Sequence, residues 1–248
     1  MAGKTAGREA AYRVVARDLR TAILSGRHSS GERLPTDAEL CERYAVSRQT
    51  VRRAFQELVT EGMVRRVPGR GTFKAEPEGP YLRHFGSIDD LMSLSLDTVL
   101  EVAEPLRRRV DIAAAGQMRL ETDVVWSLVF RRLHGSTPFC LTTVSLPPRL
   151  GSRLQDVPEI SAAGATSTVT VIDILEKQLG IPVLDAEQTI TAVAAEPDTA
   201  ARLGCRPGEP LLRVDRLYRS TDSTPVEHSL SYFLPEQYTY RIRLRRSA

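Results

Sequence analysis

Two short runs decide the fold: Leu34-Pro35-Thr36-Asp37-Ala38-Glu39-Leu40, and Tyr44-Ala45-Val46-Ser47-Arg48-Gln49-Thr50-Val51-Arg52. Thr36 followed three residues later by Glu39 is a capping box, so a helix is expected from about Asp37 to Tyr44. Ala45-Val46 breaks it, and Ser47 caps a further helix whose apolar positions are Val51, Ala54, Phe55, Leu58 and Val59; that helix ends near Glu61-Gly62. Upstream, Val14, Val15, Leu19, Ala22, Ile23 and Leu24 recur at helical spacing over 10–25, and Gly26 offers a stop. Downstream, Met63 to Val67 and Thr72 to Lys74 flank Pro68-Gly69-Arg70-Gly71, which reads as a β-hairpin. Two capped helices across a tight break followed by a hairpin predict a winged helix-turn-helix over residues 1–75.

The same run suggests chemistry. Arg48 and Arg52 are four apart at the start of the last helix, so they project from one face, one turn apart, opposite the apolar side. Ser47, Gln49 and Thr50 share that first turn, where hydroxyls and free N–H groups can grip phosphate while Gln49 or an arginine reads a base edge. In the hairpin, Gly69 and Gly71 permit close backbone approach and Arg70 can enter a minor groove or pair with phosphate. Charge follows this division. Residues 1–76 carry 15 Lys and Arg against 9 Asp and Glu, a net +6, while the remainder carries 19 against 22, a net −3. A basic head on a mildly acidic body predicts double-stranded DNA as the partner of the head.

Composition narrows the rest. The 248 residues, 42% of them hydrophobic, suffice for a large core. Cys41, Cys140 and Cys205 are odd in number and far apart, against a disulfide framework and against metal-knuckle spacing. His28, His84, His134 and His228 show no metal spacing, and neither a nucleophile elbow nor a phosphate loop is present, so no cofactor is expected. No apolar run approaches a membrane span, and a cytoplasmic location is expected.

After a linker at 76–80, residues 81–248 read as mixed α and β. Strands are predicted at about 98–111, 123–133, 138–146, 184–195, 210–220, 225–234 and 238–245, and helical stretches at about 89–94, 168–179 and 197–203. Short connections between strands favour antiparallel hairpins. Within 123–133, Val124, Trp126, Leu128, Phe130 and Arg132 share a face by alternation. An arginine on an otherwise apolar face needs either an internal carboxylate such as Glu227 or an anionic ligand.

The head resembles the GntR superfamily of bacterial regulators in Leu34-Pro35-Thr36, Tyr44 through Arg52, Glu61-Gly62 and Pro68-Gly69-Arg70-Gly71-Thr72-Phe73. The resemblance implies base contacts from Arg48 and Arg52, with Thr36, Ser47, Gln49, Thr50, Gly69 and Arg70 beside them. It departs at Ala38, where many members carry an arginine. Residues 80–246 are similar to the effector-binding UTRA domain of the HutC branch, through Phe130-Arg131-Arg132-Leu133, Pro138, Ser145-Leu146-Pro147, Leu179-Gly180 and Pro225-Val226-Glu227. This implies an α+β architecture, a winged helix-turn-helix joined to an α/β domain with a chorismate lyase-like antiparallel sheet.

Sugar-phosphate-responsive members place an Arg-x-Arg pair, a Glu, and a Glu with a Tyr where this chain has Phe130 and Arg132, Thr142, and Glu227 and Phe233. With one arginine for a phosphate and Phe at two positions, the expected effector is less charged than a sugar phosphate, such as a carboxylate with an apolar body. The resemblance further implies a homodimer on a pseudo-palindromic operator, acting as a repressor. The rival readings are a DNA-binding dimer that needs no ligand and a lyase-like enzyme.

Overall fold

The computed structural model describes residues 11–29, 31–60, 62–75 and 92–238. The chain separates into two compact units, 1–79 and 80–248. The expected linker at 76–80, the first half of the helix at 89–94 and nearly all of the strand at 238–245 lie outside the described residues.

The head contains α1 (Ala11–Leu24), α2 (Asp37–Tyr44) and α3 (Arg48–Thr60), then β1 (Val64–Val67) and β2 (Gly71–Lys74). The capping box at Thr36 forms in full: Glu39 N donates to Thr36 Oγ1 at 3.2 Å and Thr36 N donates to the Glu39 carboxylate at 2.7 Å. Ala45 ends α2 in the left-handed region at φ 51°, which makes the break before α3 abrupt. The buried stripe of α1 is Val15, Leu19 and Ile23, with Ala16 and Arg20 beside it. It is therefore rotated from the expected face, and Val14, Ala22 and Leu24 are only half-buried. Arg20 tolerates burial because its guanidinium meets Glu57 of α3 at 3.3 Å. Val51, Ala54, Phe55 and Leu58 of α3 complete this core. In the hairpin, Gly69 (φ 72°) and Gly71 (φ 119°) hold conformations that side-chain-bearing residues avoid. Segment 32–34 pairs with β2, with Leu34 N on Thr72 O and Lys74 N on Glu32 O, both at 2.8 Å. In sequence, His28-Ser29-Ser30-Gly31 before it reads only as a turn.

The second unit is built on a seven-stranded antiparallel sheet. Its strands are β3 (Val99–Val110), β4 (Val124–His134), β5 (Thr137–Leu146), β6 (Thr166–Ser167), β7 (Val183–Ala194), β8 (Pro210–Ser220) and β9 (Pro225–Phe233), in the order β6-β3-β4-β5-β9-β8-β7. Helices α4 (Ile112–Gln117), α5 (Pro148–Leu154), α6 (Val171–Leu179) and α7 (Pro197–Leu203) pack on its faces. Helix α6 starts with a capping box, Thr170 and Asp173, and lays Val171, Ile172, Ile174 and Leu175 into the main core. On the other face, Ala200 and Leu203 of α7 meet Leu141 and Leu211, while Ala114 and Ala115 of α4 meet Val125 and Leu217.

Helices α4 and α5 were not anticipated. Gly116 in the first, and Pro148 with Gly151 in the second, read as turn signals in sequence. Gly151 is glycine for a steric reason: a Cβ there would fall deep inside the van der Waals shell of Trp126 Cβ and Cγ. Gly151→Ala is therefore expected to destabilise the domain by about 1–3 kcal/mol despite alanine's better helix propensity. Thermal melting of the variant, with Gly116→Ala in the open as control, checks it; equal melting temperatures would refute the packing described.

Candidate functional site

On the head, the side chains singled out from the sequence gather at the N-terminal turn of α3 and on the hairpin. Arg48, Gln49 and Arg52 are exposed, and Arg70 is exposed at the hairpin tip beside Gly69. Ser47 Oγ accepts from Thr50 N at 3.2 Å and lies 2.9 Å from Thr50 Oγ1, so both hydroxyls also serve as the cap. Thr36 is likewise committed to the start of α2.

One residue was missed in the sequence. The Asp37 carboxylate accepts from Arg52 Nε at 3.4 Å and from Arg66 Nη2 of β1 at 2.8 and 3.1 Å. A single acid thus ties α2 to α3 and to the hairpin, and steadies Arg52. In sequence, Asp37 reads only as a first-turn acid that complements the helix dipole. Arg66 also lies over the Phe55 ring at 5.6 Å. Between the start of α2 and the hairpin runs a groove of about 380 Å³, lined by Arg33, Thr36, Asp37, Arg66, Gly69 and neighbours. The arrangement presents several guanidiniums on one side of the head, suited to a phosphate backbone and base edges.

In the second unit, the inward face of four adjacent strands forms the floor of a cavity. Cross-strand register orders it in rows. Arg132 faces Cys140, which faces Phe233, which faces Leu212; Phe130, Thr142, Ser231 and Val214 form the next row; Leu128, Val144, Ser229 and Arg216 the one after; Glu227 faces Tyr218 beyond. The start of α6, at Thr170 to Ile172, and Leu94 complete the wall, and the open space is about 60 Å³, room for a few water molecules or a small organic acid. Phe130, Arg132, Thr142, Glu227 and Phe233 all line this one cavity and all are buried.

Arg132, 3% exposed, donates to Thr98 Oγ1 at 2.9 Å, Val169 O at 3.0 Å and Leu94 O at 3.4 Å. These three acceptors are neutral oxygens. The cation acting on Glu227 is Arg216 of β8, which the sequence reading overlooked. Alternation could have found it, since Leu212, Val214, Arg216 and Tyr218 repeat the pattern of an arginine on an apolar face. The inference from a single arginine therefore needs correcting: the cavity holds two.

Burial pushes the Glu227 carboxyl up to about 8, against the pull of Arg216. It also pushes the Cys140 thiol up to about 11 and the Tyr218 phenol to about 12. Glu227 Oε2 has no hydrogen-bond partner among the described residues. Thr142 Oγ1 and Ser231 Oγ pair at 2.9 Å in the middle of the floor. The cavity is thus lined by two guanidiniums, apolar along much of its wall, and polar across its centre.

Comparison with known proteins agrees with this division. Residues 11–73 match the gntR family of bacterial regulatory proteins and residues 96–239 the UTRA domain. The HTH-type transcriptional regulator Rv0792c of Mycobacterium tuberculosis is 32% identical, over 94% of this chain and 85% of its own. The HTH-type transcriptional repressor NagR of Bacillus subtilis is 25% identical, over 92% of both chains. The histidine utilization repressor of Klebsiella aerogenes is 26% identical, over 92% of this chain and 91% of its own. In structure, YydK of Bacillus subtilis superimposes with a TM-score of 0.60 at 19% identity, covering 95% of this chain and 99% of that one. Among the described residues no helix is long and apolar enough to cross a membrane. The chain belongs to the UTRA-containing HutC branch of the gntR family, and is a DNA-binding transcriptional regulator under small-molecule control, not an enzyme.

Proposed function

We propose that the protein is a cytoplasmic homodimeric repressor that leaves a pseudo-palindromic operator when an anionic small molecule with an apolar body fills the C-terminal cavity. Two recognition helices α3 would enter successive major grooves, Arg48 and Arg52 reading base edges while Ser47 and Thr50 hold phosphates near Thr36. The hairpin, with Gly69 and Arg70 at its tip, would approach the minor groove. Effector binding would favour a dimer whose heads are wrongly spaced, a population shift driven by differential affinity for two states. The repressor names of the relatives NagR and the histidine utilization repressor support the sign of control.

The observation that carries this reading is the cavity itself. Arg132 is buried on the sheet face with neutral acceptors around it, among Phe130, Phe233, Val144 and Ile172. A cavity that sets a guanidinium and hydroxyls among apolar walls suits an anion with an apolar body. The test is anisotropy on an operator duplex selected from random sequence. The small-molecule fraction of a cell extract should release the wild-type protein, and Arg132→Gln should need at least about tenfold more of it. Release absent in the wild type would leave a DNA-binding dimer that needs no ligand.

A further inference from the structure

An acid stands between two arginines of the head. Asp37 is the first residue of α2, and the Thr36–Glu39 capping box fixes its backbone there. Its Oδ2 is shared: Arg52 Nε donates to it at 3.4 Å and Arg66 Nη2 at 3.1 Å, while the same Nη2 meets Oδ1 at 2.8 Å. Arg66 is held from a second side as well, its guanidinium lying over the ring of Phe55, a residue of the head's core. A chain of contacts thus runs from the core through Arg66 and Asp37 to Arg52, and these bonds of Asp37 go to Arg52 and Arg66 rather than to Arg48. We infer that Asp37 is a positioning residue that sets the sequence discrimination of the head, holding Arg52 for the base edge it reads at some loss of general affinity for DNA. This deepens the DNA-reading role given to Arg52 and rests on it.

A guanidinium can offer a fork of parallel donors to guanine O6 and N7. With Nε of Arg52 tied to Asp37, the Nη pair is the fork that serves a base. The Arg52 side chain is 66% exposed and that of Asp37 27%. A long exposed side chain samples many rotamers, and an ion pair near its end removes much of that freedom before DNA arrives. Without the acid, the guanidiniums of Arg52 and Arg66 would repel each other, and each would be drawn to phosphates, which carry no sequence information. The carboxylate acts on affinity in the opposite sense, because a negative charge beside a DNA-facing surface weakens binding to every duplex. A role confined to the start of α2, as an acid complementing the helix dipole, accounts for the position of Asp37 but not for two arginines converging on its carboxylate. Stability gains little from the arrangement, since partly exposed ion pairs contribute little.

Selection of duplexes from random sequence by the full chain tests this, run with wild type, Arg48→Ala, Arg52→Ala and Asp37→Asn, and followed by anisotropy on the selected operator and a scrambled duplex over a range of salt. Asp37→Asn is expected to lose preference at the base pairs that Arg52→Ala loses, and to keep preference at those that Arg48→Ala loses. Its ratio of operator to scrambled affinity should fall by about fivefold or more, while its affinity for the scrambled duplex rises and depends more steeply on salt. Asp37→Glu, which retains the charge, should restore part of the ratio. In the Arg52→Ala background, Asp37→Asn should leave the ratio unchanged, because the acid acts through that side chain. Melting reports folding; if Asp37→Asn does not fold, Arg66→Gln carries the comparison, with loss at the same base pairs expected. Unaltered discrimination in Asp37→Asn, or an equal loss at every base pair, overturns the inference. Should Arg52→Ala lose preference and Asp37→Asn keep it, Arg52 reads bases unaided and Asp37 only completes α2. Should Arg48→Ala and Arg52→Ala both keep the wild-type preference, the DNA-reading assignment fails, and the role of Asp37 with it.

Discussion

Replacing Arg48 and Arg52 together by alanine is expected to reduce operator affinity to the level of unrelated duplex. Each guanidinium is exposed on the first turns of α3, and a good bidentate arginine to guanine contact is worth about 1–3 kcal/mol of discrimination. Each single variant should therefore bind the operator about ten- to hundredfold more weakly. The two effects need not add, because Arg52 shares Asp37 with Arg66, and residues in one network couple. Folding should be untouched, since neither side chain enters the core of the head. Competition anisotropy with operator and scrambled duplexes at fixed salt measures this. Retention of wild-type preference by the double variant would mean that another surface reads the bases.

The second large effect concerns pH. Glu227 titrates near 4.5 as an ordinary carboxyl and near 8 in the folded protein, raised by burial. The native state thus keeps a proton that the unfolded chain releases between those values. Its contribution to stability is fully present below about 4.5 and is lost as pH rises through about 8. The full shift corresponds to at most about 4–5 kcal/mol. The charged groups facing this carboxyl and its surroundings are Arg216 on β8 and Arg132 on β4, with the Tyr218 and Cys140 protons held well above neutrality. Wild-type melting temperature should therefore fall from about pH 6 to about pH 9, and Glu227→Gln, which stays neutral, should flatten that decline. Parallel declines in both proteins would place the titration elsewhere.

Much of this was readable from sequence where local chemistry decides structure. Thr36 with Glu39 and Ser47 with Thr50 satisfy their own helix ends, so α2 and α3 follow from residues three apart. Strand alternation likewise put Leu128, Phe130 and Arg132 on one inward face. What depends on distant partners was not legible. Arg20 looks like a solvated helix residue until Glu57, 37 positions later, explains its burial. Asp37 acquires its second role only when β1 brings Arg66 to it. Gly151 marks a turn in sequence, yet it is a helical glycine because Trp126 occupies the space of its side chain. Arg216 carried the same signal as Arg132 but sits on the far strand of the floor, and only the register of β9 between β5 and β8 brings them into one cavity.

The most direct test of the central claim joins the two units in one titration. Operator duplex bound to the full chain is followed by anisotropy while the small-molecule fraction of a cell extract is added. The account predicts release of the duplex by wild type and a displaced titration for Arg132→Gln; release at identical concentrations in both would contradict it.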